Sequence, residues 1–179
     1  METKIAYEPL DAERIRESVG DVPISVLREV DSTNTEARRR LLAGEPMPQA
    51  ILAEAQTAGR GRMGRSFYSP EGTGIYLTLC FPAESDDPLF LTTAAAVAIH
   101  RAISRVTGII CHIKWVNDLY LKGRKVSGIL AESLFLGDER YIILGVGVNL
   151  YTSDFPSELR EIAGGLAGAS KSFQQVPEW

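Results

Sequence analysis

The chain has 179 residues, of which 45% are hydrophobic and 23% are charged, so it can bury the core of one globular domain. No apolar run approaches the roughly 18 residues of a membrane span, and the first residues lack the layout of a signal peptide, so we expect a cytoplasmic protein without membrane contact. The formal net charge of −4 argues against nonspecific electrostatic binding of nucleic acid. The two cysteines and two histidines are not at metal-ligand spacing.

Strand-like and helix-like segments alternate along the chain. The segment from Gly74 alternates apolar with smaller or polar side chains, as a half-buried strand does. Thr33 and Glu36 fit a capping box, and residues 88–106 carry apolar side chains at helical spacing. In chain order we predict a helix over residues 11–19 capped by Asp11, a strand over 24–30, a helix from about 31 to Gly44, strands over 50–55 and from Gly74, a helix over 88–106, and strands over 109–113, 119–121, 126–136 and 141–148.

The order of these elements predicts an α+β fold. The last three strands follow one another with short connections and must be antiparallel, because a parallel pair needs a long crossover. We therefore expect a mixed, largely antiparallel sheet flanked by helices. One domain is predicted over residues 1–179, with residues 1–23 as an N-terminal extension and residues 165–179 as a tail. Cys80 and Cys111 lie in apolar stretches and are predicted to be core thiols.

An arginine- and glycine-rich segment is the most informative motif. Residues 59–65, called the arginine loop below, read Gly-Arg-Gly-Arg-Met-Gly-Arg and contain the pattern G-x-G-x-x-G after a strand. A dinucleotide-binding turn would open a helix here, whereas residues 66–74 are turn-rich and lead into a strand, so that interpretation fails. Glycines let backbone N–H groups approach an anion, and arginines stay charged at any working pH. The loop is interpreted as a phosphate or carboxylate cradle, and a solvated basic loop that touches RNA is the alternative.

A second cluster of polar residues lies between residues 114 and 128. If residues 119–121 and 126–130 pair as a hairpin, Asp118 and Gly128 come together, and a glycine inside a strand indicates close approach of a ligand or of another backbone. The alternative is a hairpin with ordinary exposed charges. Further on, Gly145 and Gly147 precede Asn149, which predicts either a bulge or a flat backbone wall with a carboxamide at its rim.

Five segments, in order along the chain, resemble the catalytic domain of a biotin–protein ligase (biotin–acetyl-CoA-carboxylase ligase), and the resemblance covers about residues 24–150. The segments are Asp31-Ser32-Thr33-Asn34, Gln56 followed by the arginine loop, Lys114-Trp115-Val116-Asn117-Asp118, Arg124-Lys125-Val126-Ser127-Gly128-Ile129-Leu130, and Gly145-Val146-Gly147-Val148-Asn149. The resemblance implies that biotin and ATP, with Mg²⁺, form biotinyl-5′-adenylate, from which the biotinyl group passes to a lysine of a biotin carboxyl carrier protein of acetyl-CoA carboxylase. A site rich in arginine and lysine suits this reaction, because fixed cations must hold two anions together.

Roles carry over from the family residue by residue. The resemblance implies that Lys125, Arg62 and Asp118 are catalytic, with Lys125 bridging the biotin carboxylate and the α-phosphate. Asp118 is expected either to hold Mg²⁺ or to orient the incoming lysine amine. The residues expected at biotin are Ser32, Thr33, Asn34, Gln56, Gly59, Arg60, Lys125 and Gly128. Those expected at ATP or the adenylate are Arg62, Arg65, Phe67, Lys114, Asn117 and Asn149, with Asn149 reading adenine and Phe67 covering the ligand.

The departures from the family pattern define further expectations. No helix-turn-helix precedes residue 24, so no DNA-binding repressor role is expected, and the small β-barrel domain that usually follows the catalytic domain in the family is not expected within residues 1–179. The alternatives are a lipoate or octanoate–protein ligase or transferase of the same fold, and a non-catalytic biotin-binding sensor. The sequence leaves a homodimer open.

Overall fold

The computed structural model describes residues 9–83, 88–115 and 117–167. Three helices and seven strands are found over these residues, together with a short 3₁₀ turn at Arg62–Gly64 inside the arginine loop. In chain order they are α1 (Ala12–Val19), β1 (Ile24–Val30), α2 (Thr33–Leu42), β2 (Gln49–Gln56), β3 (Gly74–Pro82), α3 (Pro88–Thr107), β4 (His112–Lys114), β5 (Asp118–Leu121), β6 (Arg124–Leu136) and β7 (Glu139–Asn149). None of the helices in the described ranges is both long and apolar enough to cross a membrane.

The seven strands form one sheet in the order β1-β2-β3-β7-β6-β5-β4. Only β1 and β2 are parallel, because α2 provides the crossover between them, and every other neighbouring pair is antiparallel. The predicted α+β class and the largely antiparallel sheet are confirmed. The predicted hairpin is confirmed too, and its register places Asp118 opposite Gly128.

The helices cover the two faces of the sheet unequally. On one face, α2 buries Ala37 and Leu41 against Ile51, Cys80 and Ile143. On the opposite face, α3 packs over β4, β5 and β6, and its Ala96 and Ile103 belong to the larger core cluster. Because α2 is only 10 residues long, it leaves part of its own face of the sheet free. The site described below lies in that uncovered part, beside the first turn of α2.

Two local predictions required correction or a shift. The capping box is wrong, because Ser32 is the N-cap of α2 and makes no side-chain cap hydrogen bond, whereas Thr33 is the first helical residue. The hydroxyl of Thr33 instead donates to Gln56 Oε1, at 3.1 Å. The strand predicted over residues 109–113 is present only as His112–Lys114, because Ile109 and Cys111 pack into the core before the strand begins.

The other local predictions hold within a few residues. Asp11 caps α1, its Oδ1 accepting from the backbone N–H groups of Glu13 and Arg14. Both cysteines are buried free thiols, as predicted. The predicted tail lies mostly outside the described residues, which end at 167.

Candidate functional site

Three glycines form the floor of the site. Gly128 on β6 pairs with Gly147 on β7. Gly145 lies two residues before Gly147 on β7 and is on the same face of the sheet. A Cβ at Gly145 would overlap the carboxamide of Asn34, and a Cβ at Gly147 would lie within 2.5–2.9 Å of the Phe67 ring. A Cβ at Gly128 would lie 3.0 Å from the ammonium nitrogen of Lys125. Glycine is therefore required at these three positions, because neighbouring side chains lie directly on the backbone there. The flat backbone wall that the sequence predicts corresponds to this floor.

A narrow cleft of about 40 Å³ lies between this floor and the first turn of α2. Gln56, at the end of β2, orders its polar wall: its Oε1 accepts from the backbone N–H of Thr33 (2.9 Å), and its Nε2 donates to Ser69 Oγ (2.8 Å). Ser32 also lines the cleft and is buried, with its hydroxyl unused as a helix cap. The cleft therefore offers directed donors and acceptors in a largely desolvated space, where unmatched polar groups of a ligand are costly.

Asn34 is held from both sides at the inner end of the cleft. Its Oδ1 accepts from Thr78 Oγ1 at 2.7 Å, and its Nδ2 donates to Glu132 Oε2 at 3.0 Å. Thr78 is fully buried beneath it, and the Asn34 side chain lies directly on Gly145. The side chain therefore has little freedom to rotate.

Ion pairs fix the start of α2, which carries these groups. The Arg39 guanidinium holds the pKa of Asp31 below its ordinary value, and Arg40 together with Arg39 lowers the pKa of Glu36 in the same way. Asp31 Oδ2 and Arg39 Nη1 are 2.9 Å apart. Asp31 also accepts from the backbone N–H of Ser32 at 2.8 Å, so the pair holds the residue that begins the cleft.

The arginine loop folds over the cleft as a closed turn. Gly61 N–H donates to the carbonyl of Arg65 at 2.7 Å, and Phe67 N–H donates to the carbonyl of Gly59 at 2.8 Å. Met63 at its tip has φ 56° and is 90% exposed. Two arginines tie the loop to the sheet: Arg60 pairs with Glu132, and Arg62 Nη1 donates to Asn117 Oδ1 at 3.3 Å.

The Phe67 ring lies over the glycine floor. Its nearest aromatic neighbour is Tyr76, in an edge-on arrangement with ring centroids 6.4 Å apart. Burial raises the pKa of Tyr76 to about 12, and its hydroxyl donates to the carbonyl of Pro70 at 2.9 Å. A neutral, hydrogen-bonded phenol thus supports the ring that covers the floor.

A second and larger cavity, of about 630 Å³, opens beside the cleft. Asn149 lies at its inner wall, 3% exposed, with Nδ2 donating to the carbonyl of Gly164 at 3.2 Å and with a buried Oδ1 that has no hydrogen-bond partner. Such an acceptor is costly unless a ligand donor reaches it. Apolar residues from the turn after β7, namely Phe155, Leu159 and Ile162, complete the wall.

Lys125 joins the two cavities. It lines both, as do Arg62 and Asn117, and its Nζ lies 2.7 Å from Asp118 Oδ1. Its backbone is fixed on both sides, because Lys125 N–H donates to the carbonyl of Ile162 (2.8 Å) and its carbonyl accepts from Gly164 N–H (2.9 Å). A lysine and an arginine at the junction favour negative charge on ligands that meet there.

The structure assembles most of the residues that the sequence predicts. The cleft is lined by Ser32, Thr33, Asn34, Gln56, Arg60, Arg62, Phe67, Asn117, Lys125 and Gly128, and the larger cavity by Arg62, Arg65, Phe67, Asn117, Asp118, Lys125 and Asn149. Two predicted residues line neither cavity. Gly59 is buried at the base of the loop, packed against the Phe67 carbonyl, and Lys114 lies with its Nζ 4.9 Å from the centroid of the Tyr120 ring.

Several residues of the site were missed from the sequence. Thr78 and Glu132 order the cleft, while Tyr120 and the turn containing Ile162 line the larger cavity. The side chain of Thr78 lies on the face of β3 opposite that of Leu77 and Leu79. A polar residue among the apolar ones of this strand was therefore a signal in the sequence that Thr78 belongs to the site. Glu132 and Ile162 carry no comparable local pattern.

The donor set for a metal ion is small. Among the described residues, no three His, Cys, Asp or Glu side chains cluster as a metal site. Asp118 is the acidic residue that lines the larger cavity, and it is already paired with Lys125. With this one carboxylate, a Mg²⁺ ion would take most of its oxygen ligands from a bound phosphate and from water.

The chain is similar to known proteins over most of its length. The model of the biotin/lipoate A/B protein ligase family matches residues 26–149. A bifunctional ligase/repressor BirA from Bacillus spizizenii is 40% identical over 148 residues, which cover 79% of this chain and 45% of that protein. A biotin--[acetyl-CoA-carboxylase] ligase from Paracoccus denitrificans is 37% identical over 129 residues, covering 70% of this chain and 53% of that protein.

A solved structure is similar over most of this chain. The biotin protein ligase from Aquifex aeolicus in complex with biotin and ATP has a TM-score of 0.69 and 33% sequence identity, covering 82% of this chain and 60% of that chain. The chain spans about half the length of the curated relatives it matches.

Proposed function

Since this chain belongs to the biotin/lipoate A/B protein ligase family, we propose that it is a biotin–protein ligase, which activates biotin with ATP and transfers it to a lysine of a biotin carboxyl carrier protein. The relatives named as biotin ligases and the similar structure with biotin and ATP support this substrate pair. The observation that carries the proposal is the position of Lys125 at the junction of a narrow polar cleft and a larger cavity.

The two cavities suit the two substrates. The cleft beside Ser32 and Gln56 offers the donors and acceptors that a ureido ring requires. The larger cavity has the size and apolar wall for a nucleotide, and the unpartnered Oδ1 of Asn149 can accept from the adenine amino group. The carboxylate of biotin and the α-phosphate then meet at Lys125.

In the first step, a carboxylate oxygen of biotin attacks the α-phosphorus of ATP. An oxygen–phosphorus bond forms, the bond from that phosphorus to the β-phosphate oxygen breaks, and pyrophosphate leaves with the electron pair. Two anions must approach each other, and charge builds on the phosphoryl oxygens, so fixed cations lower the barrier more than proton transfer can. Lys125 and Arg62 supply this charge at the junction, which both line, and Arg65 supplies it from the larger cavity.

In the second step, the amine of the carrier lysine attacks the carbonyl carbon of the mixed anhydride. The new amide bond forms, AMP leaves, and the proton of the amine passes to solvent or to a nearby carboxylate. The proposal gives Asp118 one of two roles, holding Mg²⁺ at the phosphates or orienting this amine. When bound, Mg²⁺ supplies neutralisation of phosphate charge.

The decisive experiment is ATP–pyrophosphate exchange with biotin, lipoate or octanoate as the acid. We expect exchange with biotin alone, followed by labelling of a carrier domain. Exchange driven by lipoate or octanoate would identify the rival ligase of the same fold. Biotin binding without exchange would identify a sensor and would overturn the enzyme assignment.

Two variants test the residue roles. Lys125→Ala is expected to lower exchange by about 10²–10³-fold, the usual effect of losing one charge-stabilising group, whereas Lys122→Ala in the same hairpin lies outside both cavities and should change it little. Asp118→Asn separates its two roles. If the carboxylate holds Mg²⁺, exchange falls and excess Mg²⁺ restores part of it, and if it orients the amine, exchange persists while transfer to the carrier is lost.

A further inference from the structure

Glu132 is an acidic residue at the edge of the cleft that the reaction described above does not use. It lies on β6, on the same face of the sheet as the glycine floor, opposite Ile143 of β7. Its side chain is only 17% exposed, and it lines neither cavity. A carboxylate this well shielded needs partners, since desolvated charge is costly.

The partners of Glu132 come from the two elements that enclose the cleft. From the arginine loop, Arg60 Nη2 lies 3.0 Å from Oε1 and Arg60 Nη1 donates to Oε2 at 3.2 Å, so the guanidinium grips both oxygens. From α2, Asn34 Nδ2 donates to Oε2 at 3.0 Å, and Arg38 Nη2 lies 3.9 Å from Oε1. A forked arginine–carboxylate pair fixes orientation as well as distance.

We propose that Glu132 is a positioning residue that holds the arginine loop closed over the cleft and couples the loop to Asn34. This inference rests on the proposed function, because the cleft is taken to be the biotin site. Without the carboxylate, Arg60 loses its anchor on the sheet. The side-chain hydrogen bond from a loop arginine that is then left in the described part of the chain is the 3.3 Å contact of Arg62 with Asn117. Asn34 at the same time loses the charged acceptor of its Nδ2 and keeps only the longer 3.5 Å contact with the Leu130 carbonyl among its recorded acceptors, so both walls of the cleft loosen together.

The geometry therefore separates two kinds of arginine in one loop. Arg60 is directed toward the sheet and holds the loop, whereas Arg62 and Arg65 are directed toward the larger cavity. An effect of Glu132 must pass through Arg60, because that residue provides the two loop contacts to the carboxylate recorded in the described part of the chain. Variants of the two residues should consequently not be additive.

The test uses brief trypsin digestion of the full chain without ligand, with cleavage after Arg62 and Arg65 followed by mass spectrometry. In Glu132→Gln, cleavage at these two sites should be about five- to tenfold faster than in the wild type, since cleavage follows the population of the open loop. Arg60→Gln should give a similar increase, and the double variant should be no faster than either single one. Glu139→Gln makes the same charge change at an exposed position of β7 and should leave loop cleavage unchanged.

A second readout distinguishes positioning from general destabilisation. Glu132→Gln should raise the KM for biotin about tenfold with little change in kcat at saturating biotin, while its thermal midpoint and its cleavage after Arg105, on α3 across the sheet from the loop, stay near wild type. Unchanged loop cleavage, additive effects of the two variants, or equal acceleration at Arg105 would overturn the proposal. If the wild-type protein does not bind biotin, the proposed function fails, yet the digestion result still decides whether Glu132 holds the loop.

Discussion

Replacing Gly145 by alanine tests whether the glycine floor exists for close packing. The new Cβ would overlap the carboxamide of Asn34, which is 4% exposed and sits between Thr78 and Glu132. The side chain of Asn34 must rotate away, because the backbone of β7, which carries the new Cβ, cannot move far. We therefore expect the substitution to damage the cleft while leaving the fold intact.

The magnitude follows from the bonds that break. The hydrogen bond from Asn34 to the Glu132 carboxylate contributes about 1.5–3 kcal/mol, as bonds to charged groups do. The bond from Thr78 is replaceable, because its hydroxyl also lies 2.8 Å from Thr33 Oγ1. Alanine in place of glycine within a strand returns about 0.5–1 kcal/mol. The free energy of unfolding should fall by about 1–2 kcal/mol, and the thermal midpoint should fall by about 2–4 °C per kcal/mol at this chain length.

Calorimetry and isothermal titration with biotin measure both consequences in one preparation. Biotin affinity should fall at least about tenfold, because the inner end of the cleft is displaced. The matched control is the same substitution in an Asn34→Ala background, where no carboxamide stands in the way and Gly145→Ala should cost nothing in stability. If Gly145→Ala costs as much in that background as in the wild type, the overlap with Asn34 is not the cause and the reasoning fails.

Three further predictions rest on other parts of the structure. Burial raises the pKa of Cys80 to about 11 and raises that of Cys111, so neither thiol should react with a thiol reagent at pH 8 until denaturant is added, and rapid native labelling would contradict the burial. Asn149→Ala should weaken ATP binding about tenfold and leave biotin binding within about twofold, as titration with each ligand would show, because its unpartnered Oδ1 lies in the larger cavity alone. The pKa of Asp31 is lowered by Arg39, so its contribution to stability is present above the ordinary carboxyl range near pH 4 and is lost as the pH falls below it. Arg39→Gln should flatten the acid side of the stability–pH curve, and an unchanged curve in urea titrations would refute this.

The elements of the fold were largely predictable because their signals are local. The strand over Ile24–Val30 was predicted with its exact residues, and α3 extends one residue beyond its prediction. Both rest on side-chain periodicity, which neighbouring residues alone determine. The pairing of β3 with β7 was not predictable, since it joins residues such as Gly74 and Asn149 that are far apart in the sequence. The capping box failed because Thr33 is used by a tertiary contact with Gln56.

The site residues that belong to sequence motifs were predictable, whereas the residues that only support those motifs were not. Arg62 lies in a loop whose residue types indicate anion binding, whereas the roles of Lys125 and Asn117 were implied by the resemblance to the family. The structure places all three at the junction of the two cavities. Glu132 has no such signal, because an acid in a strand more often marks a solvated face. Its partners on α2 and the arginine loop are 98 and 72 residues away in sequence, so only the folded chain reveals its contacts.

The glycine floor and the charged junction are two parts of one physical solution. In the proposed reaction a carboxylate and a phosphate must approach closely, and a floor bare of Cβ atoms lets Lys125 lie directly on Gly128 and the Phe67 ring directly on Gly147. The same approach is opposed by repulsion between anions, and Lys125 counters it from a backbone fixed at both its N–H and its carbonyl. Gly128 and Lys125 lie three residues apart on β6, so one hairpin provides both the bare floor and the positive charge. A lysine of equal charge elsewhere on the rim would lack this fixed distance to the floor, and it would contribute binding without aligning the two reacting groups.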